Sequence, residues 1–177
     1  EMTVRLATIF FVDMTEMFNV RDEFLRTRPI TAVILIDNYD ELMSNLPDST
    51  ISKLDAQINE AVSGWVTGLH ALCRKMERNR YLLLFESKDL SRLQEGKFSI
   101  LDAIRAVVNP AGVNATISLG IGKDGSSFEE NYSFANLSIE MALSRGGDQA
   151  VIKDRYNFAF YGGRTKETER RTRVKSR

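Results

Sequence analysis

The sequence predicts an α+β fold of ferredoxin-like type, an antiparallel central sheet with helices packed on it. Three observations lead there. From Ile30 onward, short apolar runs alternate with stretches of helical spacing in the order β-α-α-β-β-α-β-α-β. Two neighbouring runs, Leu72–Met76 and Tyr81–Phe85, flank the polar stretch Glu77-Arg78-Asn79-Arg80, which reads as the tip of a hairpin. Helical segments separate the other strands, which gives a layered sandwich.

Each element has its own signal. Val4–Asp13 is rich in branched and aromatic residues and reads as a strand. Thr15–Arg26 has helical spacing and runs into Thr27-Arg28-Pro29, a break. Ile30–Ile36 is a nearly unbroken apolar run ending at Asp37-Asn38, as expected of a strand buried on both faces. Tyr39–Asn45 is a short helix. Pro47-Asp48-Ser49 is a turn, with Asp48 or Ser49 as the N-cap of the next helix. In that helix, Thr50–His70, the residues Ile51, Leu54, Ile58, Ala61, Val62, Trp65 and Leu69 recur at three and four, which predicts an apolar face with Leu54, Ile58, Ala61, Trp65 and Leu69 buried on the sheet. Leu90–Val108 is helical with an interruption at Glu95-Gly96-Lys97, and Pro110 stops it. Ala115–Gly122 is a strand. Ser126 and Ser127 each precede a glutamate by three, the spacing of a capping box, and the helix they open ends near Ser144 at Gly146-Gly147, a C-cap. Ala150–Lys153 and Asn157–Tyr161 close as strands.

Composition narrows the function. Apolar residues make up 43%, enough for a real core in 177 residues. The formal net charge is zero, which excludes a strongly basic nucleic-acid binder as a description of the whole chain. The charge is uneven: from residue 161 onward Arg164, Lys166, Arg170, Arg171, Arg173, Lys175 and Arg177 face only Glu167 and Glu169, a net +5. One cysteine, Cys73, excludes an internal disulfide framework and points to a reducing, cytosolic compartment. No apolar run approaches the ~20 residues of a membrane span. The start, EMTVRLATIFFVDM, carries no basic n-region or cleavage site, and the chain reads as a fragment of a longer protein.

The search for chemistry is mostly negative. His70 is the single histidine, without partners in sequence, and reads as a partly buried residue at a helix end. Cys73 reads as a small buried thiol. Neither a P-loop nor a G-x-G-x-x-G motif is present. The N-x-[ST] matches at Asn114, Asn131 and Asn136 carry no meaning in a cytosolic protein. One constellation stands out: the first strand ends in Leu35-Ile36-Asp37-Asn38-Tyr39, and the topology places it beside the tip Glu77-Arg78-Asn79-Arg80-Tyr81.

At these residues the chain resembles a GGDEF domain, the diguanylate cyclase fold, over about residues 28–161. Ile36-Asp37-Asn38-Tyr39 sits where that family has I-D-x-F, and Arg74 precedes the tip as the family's arginine precedes its motif. Ala115–Ile121 resembles its T-x-S-x-G strand. The stretch from Ala135-Asn136 to Gly146-Gly147 resembles its A-D-x-A-L-x-x-A-K-x-x-G helix. The departures fall on the chemistry. Leu35 stands where the family has its first metal-binding Asp, Asn79 at the loop's metal-ligand position, Arg80 in place of an acidic residue, and Met43 at the guanine-contacting Asn. Mg²⁺ requires hard oxygen ligands. A fixed positive charge at ~4 Å from it costs about 4 kcal/mol at an effective dielectric of about 20. The resemblance therefore implies no diguanylate synthesis and at most weak ATP hydrolysis with Mg²⁺, with no catalytic or metal-binding residue assigned.

The flanks narrow the likeness. Val12–Glu16 (V-D-M-T-E), Ala142–Ala150 (A-L-S-R-G-G-D-Q-A) and Phe160–Lys166 (F-Y-G-G-R-T-K) resemble the GdpP/YybT type of cyclic-di-AMP phosphodiesterase, membrane-anchored bacterial proteins with PAS, degenerate GGDEF and DHH domains. The resemblance implies that residues 1–14 are the last strand of a PAS-like domain, 15–27 a connecting helix, 28–161 the degenerate GGDEF domain and 162–177 a basic linker towards a DHH module. It implies a location on the cytoplasmic face, with the parent held in the cell membrane.

The function expected is a regulatory nucleotide-sensing module. ATP or a guanosine nucleotide would lie in a groove formed by Asp37, Asn38, Arg74, Arg78, Asn79 and Arg80. The PAS and DHH domains of the same chain and a second copy in a homodimer are its other expected partners. Asp37 has a second reading as the cap of the helix that follows it, and Arg78 and Arg80 as exposed hairpin charges. Two other classes stand beside this one. The domain could be a non-binding spacer that dimerises and relays signals from PAS to DHH. A nucleic-acid-binding sandwich is disfavoured, because the basic segment contains a single aromatic, Tyr161.

Overall fold

The structure, a computed structural model, describes residues 7–162. Its elements are helix α1 (Thr15–Thr27), strand β1 (Pro29–Ile36), helices α2 (Tyr39–Met43) and α3 (Asp48–Thr67), strands β2 (Ala71–Glu77) and β3 (Arg80–Glu86), helices α4 (Ser87–Glu95) and α5 (Ile100–Arg105), strand β4 (Ile117–Gly122), helix α6 (Phe128–Ser144), and strands β5 (Gln149–Lys153) and β6 (Phe158–Gly162). They form one six-stranded sheet in the order β2-β3-β1-β4-β5-β6. β1 runs antiparallel to both of its neighbours, and β4 and β5 form the one parallel pair, joined across α6. The α+β sandwich expected from the sequence is the fold observed.

The two faces of the sheet are packed differently. Ile30, Ala32, Ile34 and Ile36 of β1, Tyr81, Leu83 and Phe85 of β3, and Ile117, Leu119 and Ile121 of β4 share the main core with residues of α3, α4 and α5. On the opposite face Val33, Leu35 and Leu82 meet Ala135 and Ile139 of α6 in a smaller core. β4 explains why α6 sits so close. The positions that alternate with its isoleucines and leucine are Ser118, Gly120 and Gly122. A Cβ on Gly120 would lie 2.2 Å from the Ala135 carbonyl oxygen, and one on Gly122 1.9 Å from that of Asn131. The T-x-S-x-G pattern thus serves helix–strand packing here.

Several expectations are corrected. Residues 7–14 form no strand, and Phe10 and Phe11 are 83% and 95% exposed; a strand needs a partner for its backbone groups, and none lies beside this segment. Residues 1–6 and the 163–177 part of the basic linker lie outside the described residues. α3 begins at Asp48, with Pro47 as N-cap and no side-chain cap from Asp48 or Ser49, and it ends at Thr67 rather than His70. Its buried stripe is Leu54, Ile58, Val62 and Val66, spaced by four throughout, so Val66 occupies the place expected of Trp65. Ala61 and Trp65 are half-buried beside that stripe, while Leu69 is buried just past the helix. Replacing Trp65 by Ala should therefore cost about 2 kcal/mol, below the 3–5 kcal/mol of a fully buried tryptophan. β4 begins at Ile117 rather than Ala115. His70 is exposed rather than partly buried, its Nδ1 3.8 Å from Asp89 Oδ2. Cys73 is half-buried against the core, which pushes its thiol pKa up.

The break between α4 and α5 falls where Glu95-Gly96-Lys97 signalled it. Lys97 and Phe98 both have positive φ, 48° and 52°. Phe98 is fully buried, edge-on to Tyr161 at a centroid distance of 5.2 Å. Burying that ring offsets two strained backbone positions. At α6, Ser127 is the N-cap that accepts from the Glu130 amide at 3.1 Å, while the Glu130 carboxylate reaches back to Ser126. Those bonds hold the Glu130 pKa below its usual range.

Candidate functional site

The candidate residues gather at one end of the sheet, where β1 finishes. The hairpin turn there is two residues, Arg78-Asn79, tighter than the four-residue tip expected, because Glu77 and Arg80 still pair across the strands and Met76 is accommodated in an irregularity of β2. The Asn79 carbonyl accepts from the Ile36 amide at 2.9 Å, which joins the turn to the end of β1. The two segments lie side by side as expected.

Cross-strand register then decides what faces what. Leu35 has Arg80 of β3 on one side and Ser118 of β4 on the other. Arg80 Nε and Ser118 Oγ are both buried without a hydrogen-bond partner. An apolar side chain thus separates two unpartnered polar groups at the position between them.

Asp37 does neither of the things expected of it. It does not cap α2, whose N-cap is Asn38 without a side-chain bond. It does not pair with Arg80: its Oδ2 accepts from the Asp148 amide at 2.9 Å, and its Oδ1 is buried without a partner. Gly147 explains the close approach. Its φ is +71°, and a Cβ there would stand 2.7 Å from Asp37 Oδ2. Gly146 and Gly147 also close α6, with the Gly147 amide donating to Ala142 O at 2.9 Å, so the predicted C-cap and the Asp37 contact share one loop. Arg105 of α5 completes the lock. Its Nε lies 2.8 and 2.9 Å from the two Asp148 carboxylate oxygens, and the bond to Asp148 raises the Arg105 pKa further. Burial pushes the Asp37 carboxyl up, and nearby Ser118, Asp148 and Thr116 only partly oppose it.

The remaining candidates are spread. Asn38 donates from Nδ2 to the Asn114 carbonyl at 3.0 Å, and its Oδ1 is buried and unpartnered. Arg74 lies on β2, two strands from β1, paired with Leu82 and exposed on the face that α6 leaves open. Arg78 is exposed and lies on the α3 side, close enough to Tyr39 to oppose the upward shift that burial and Asp55 impose on its phenol. Asn38, Asn79 and Arg80 therefore share one end of β1; Asp37 is turned into the Gly147-Asp148 loop, and Arg74 stands apart.

Sequence reasoning missed a polar cluster beside this end. Lys75 Nζ donates to Asp55 Oδ1 at 2.6 Å, Asn59 Nδ2 donates to Asp55 Oδ2 at 3.0 Å, and the Tyr81 hydroxyl donates to Asn59 Oδ1. Burial, with Asp55 adding to it, pushes the Tyr81 phenol up. The available signal was Asp55 and Asn59 at i and i+4 on one helix face.

This topology defines a GGDEF-type domain, and comparison with known proteins agrees. The GGDEF domain of DgcB from Caulobacter crescentus, solved in complex with c-di-GMP, superposes with a TM-score of 0.61 over 77% of this chain and 85% of that one, at 13% identity. The sequence family described as "Cyclic-di-AMP phosphodiesterase GdpP-like, GGDEF domain" matches residues 34–160, and the chain belongs to it. The cyclic-di-AMP phosphodiesterase GdpP of Bacillus subtilis is 34% identical over 170 residues, 96% of this chain. The cyclic-di-AMP phosphodiesterase PdeA of Listeria monocytogenes is 33% identical over the same share. The chain spans 26% of the length of each of these two relatives. Among the described residues no helix is long and apolar enough to cross a membrane.

Proposed function

We propose that this chain is a nucleotide-sensing regulatory module, a degenerate GGDEF domain within a cyclic-di-AMP phosphodiesterase, without diguanylate cyclase activity of its own. The observation that carries the reading is Leu35 held between the unpartnered Arg80 Nε and Ser118 Oγ, at the strand end that meets the hairpin turn. The donor set there does not fit Mg²⁺. Leu35 offers no oxygen, the one carboxylate of the strand end is bonded to the Asp148 amide, and Arg80 brings a positive charge. It fits a phosphate better, because a guanidinium binds phosphate oxygens through paired N–H groups without a metal. ATP or a guanosine nucleotide would place its phosphates against Arg80, with Arg78 and Asn79 at the rim. Any ATP turnover is slow, and GTP yields no cyclic-di-GMP.

In this reading residues 1–14 end a PAS-like domain, residues 15–27 connect it, and 162–177 lead to a DHH module that hydrolyses cyclic-di-AMP in a parent anchored in the membrane. The test is calorimetric titration of ATP and of GTP into wild type and Arg80→Ala, each with Mg²⁺ and with chelator. Binding that persists with chelator, weakens with salt and falls in Arg80→Ala supports the reading. Strictly metal-dependent binding that ignores Arg80, or robust cyclic-di-GMP formation, would sink it. A second reading is favoured by the lock at Asp37: a carboxylate committed to Asp148 serves rigidity rather than a ligand. If no nucleotide binds, the domain is a spacer that relays signals between its neighbours.

A further inference from the structure

α1 has no job inside the domain. None of its residues is buried, yet it carries large apolar side chains: Met17 is 51% exposed and Val20 and Phe24 are each 64% exposed. Met17, Val20, Phe24 and Thr27 are spaced three, four and three apart, the a and d positions of two heptads. The neighbouring stripe, Met14, Phe18 and Leu25, is interrupted by Arg21. With Met17 at a, the g positions are Glu16 and Glu23 and the e positions are Arg21 and Arg28.

That charge pattern chooses both partner and direction. In a parallel pair of helices, g of one chain meets e of the next heptad on the other, so Glu16 faces Arg21 and Glu23 faces Arg28 of the second copy. In an antiparallel pair g meets g and e meets e, which would set Glu16 against Glu23 and Arg21 against Arg28, all like charges. Within one helix Glu16 and Arg21 are five apart and do not face each other. Arg28 is oriented for this at the helix end, where it holds Asp124 at 3.5 Å and bonds the Gly125 carbonyl at 3.3 Å while remaining part-exposed.

We propose that α1 is the seam of a parallel homodimer, closed by Met17, Val20, Phe24 and Thr27 and set in register by Glu16–Arg21 and Glu23–Arg28 pairs between copies. Two heptads bury less than the roughly 1,200 Å² of a stable interface, so the dimer of the 177-residue chain dissociates on dilution.

Sedimentation equilibrium of the 177-residue chain up to ~1 mM should show a mass rising from monomer towards dimer. Phe24→Glu should abolish the rise. Glu16→Arg or Arg21→Glu alone should weaken the dimer about tenfold, and the two together should restore it. Because α1 contributes nothing to either core, these variants should keep the circular dichroism and melting temperature of the parent. In a Cys73→Ser background, Met17→Cys should form a symmetric disulfide on mild oxidation, since parallel a positions lie within disulfide reach and antiparallel ones do not. A monomer at every concentration overturns the proposal. So does a dimer indifferent to Phe24→Glu, a double charge swap that fails to restore, or no Met17→Cys cross-link in a dimeric protein.

Discussion

Two halves of the same sheet end, a few ångströms apart, are built on opposite principles. On the β4–β5 side, Asp37, Gly147, Asp148 and Arg105 close on one another through charge-assisted hydrogen bonds and a glycine whose missing Cβ makes room for a carboxylate. On the β3 side, Arg78, Asn79 and Arg80 surround a leucine and leave polar atoms without partners. Unpaired buried polar groups cost stability, whereas satisfied networks give rigidity. The first half is therefore where this domain holds its shape, and the second is where it has capacity to bind. An aspartate beside a hairpin tip belongs to the frame here, although its sequence neighbours suggest a ligand.

The comparison can be broken most sharply at Gly147. Gly147→Ala forces a side chain into left-handed backbone and against the Asp37 carboxylate, and should cost about 2–4 kcal/mol, read as a lowered denaturant midpoint. Survival at parental stability would mean that the loop has no fixed relation to β1. Next in size is Arg105→Ala, which removes the paired bonds to Asp148; on a partly exposed site this should cost about 1–2 kcal/mol, with the loss reduced when Asp148 is also removed.

Asp37→Asn sharpens the comparison through pH. The folded Asp37 carboxyl titrates above its unfolded value because of burial. The native state then binds the extra proton first, so this group's contribution to stability falls as pH rises through the folded pKa and recovers as pH drops. Relative to Asp37→Asn, wild type should gain stability between neutral pH and pH 4, measured by urea unfolding at each pH. A pH-independent difference would mean that the carboxylate is not desolvated. The smallest effect belongs to the other half. Arg78→Ala, an exposed turn residue, should change stability by no more than about 0.5 kcal/mol; a larger loss would make the turn part of the frame.

Much of the architecture follows from local sequence. The alternation of Ile30–Ile36, the Ser127–Glu130 cap, the break before Phe98 and the glycine stop of α6 are determined by periodicity and backbone preference, which act over a few residues and survive in any context that supplies a core. The family could be reached the same way, because its motifs are contiguous strings. Helix phase was less legible: Val66 and Trp65 are adjacent, both apolar, and only the axis of α3 against the sheet selects one. The Val4–Asp13 stretch has strand propensity, but a strand exists only with a neighbour to bond, and residues 7–14 have none. Asp37 is the clearest limit. Its partner Asp148 lies 111 residues away, and an aspartate after a strand reads alike as a cap, a ligand or a lock. Only the tertiary structure, which brings the α6–β5 loop over the end of β1, decided that it is a lock.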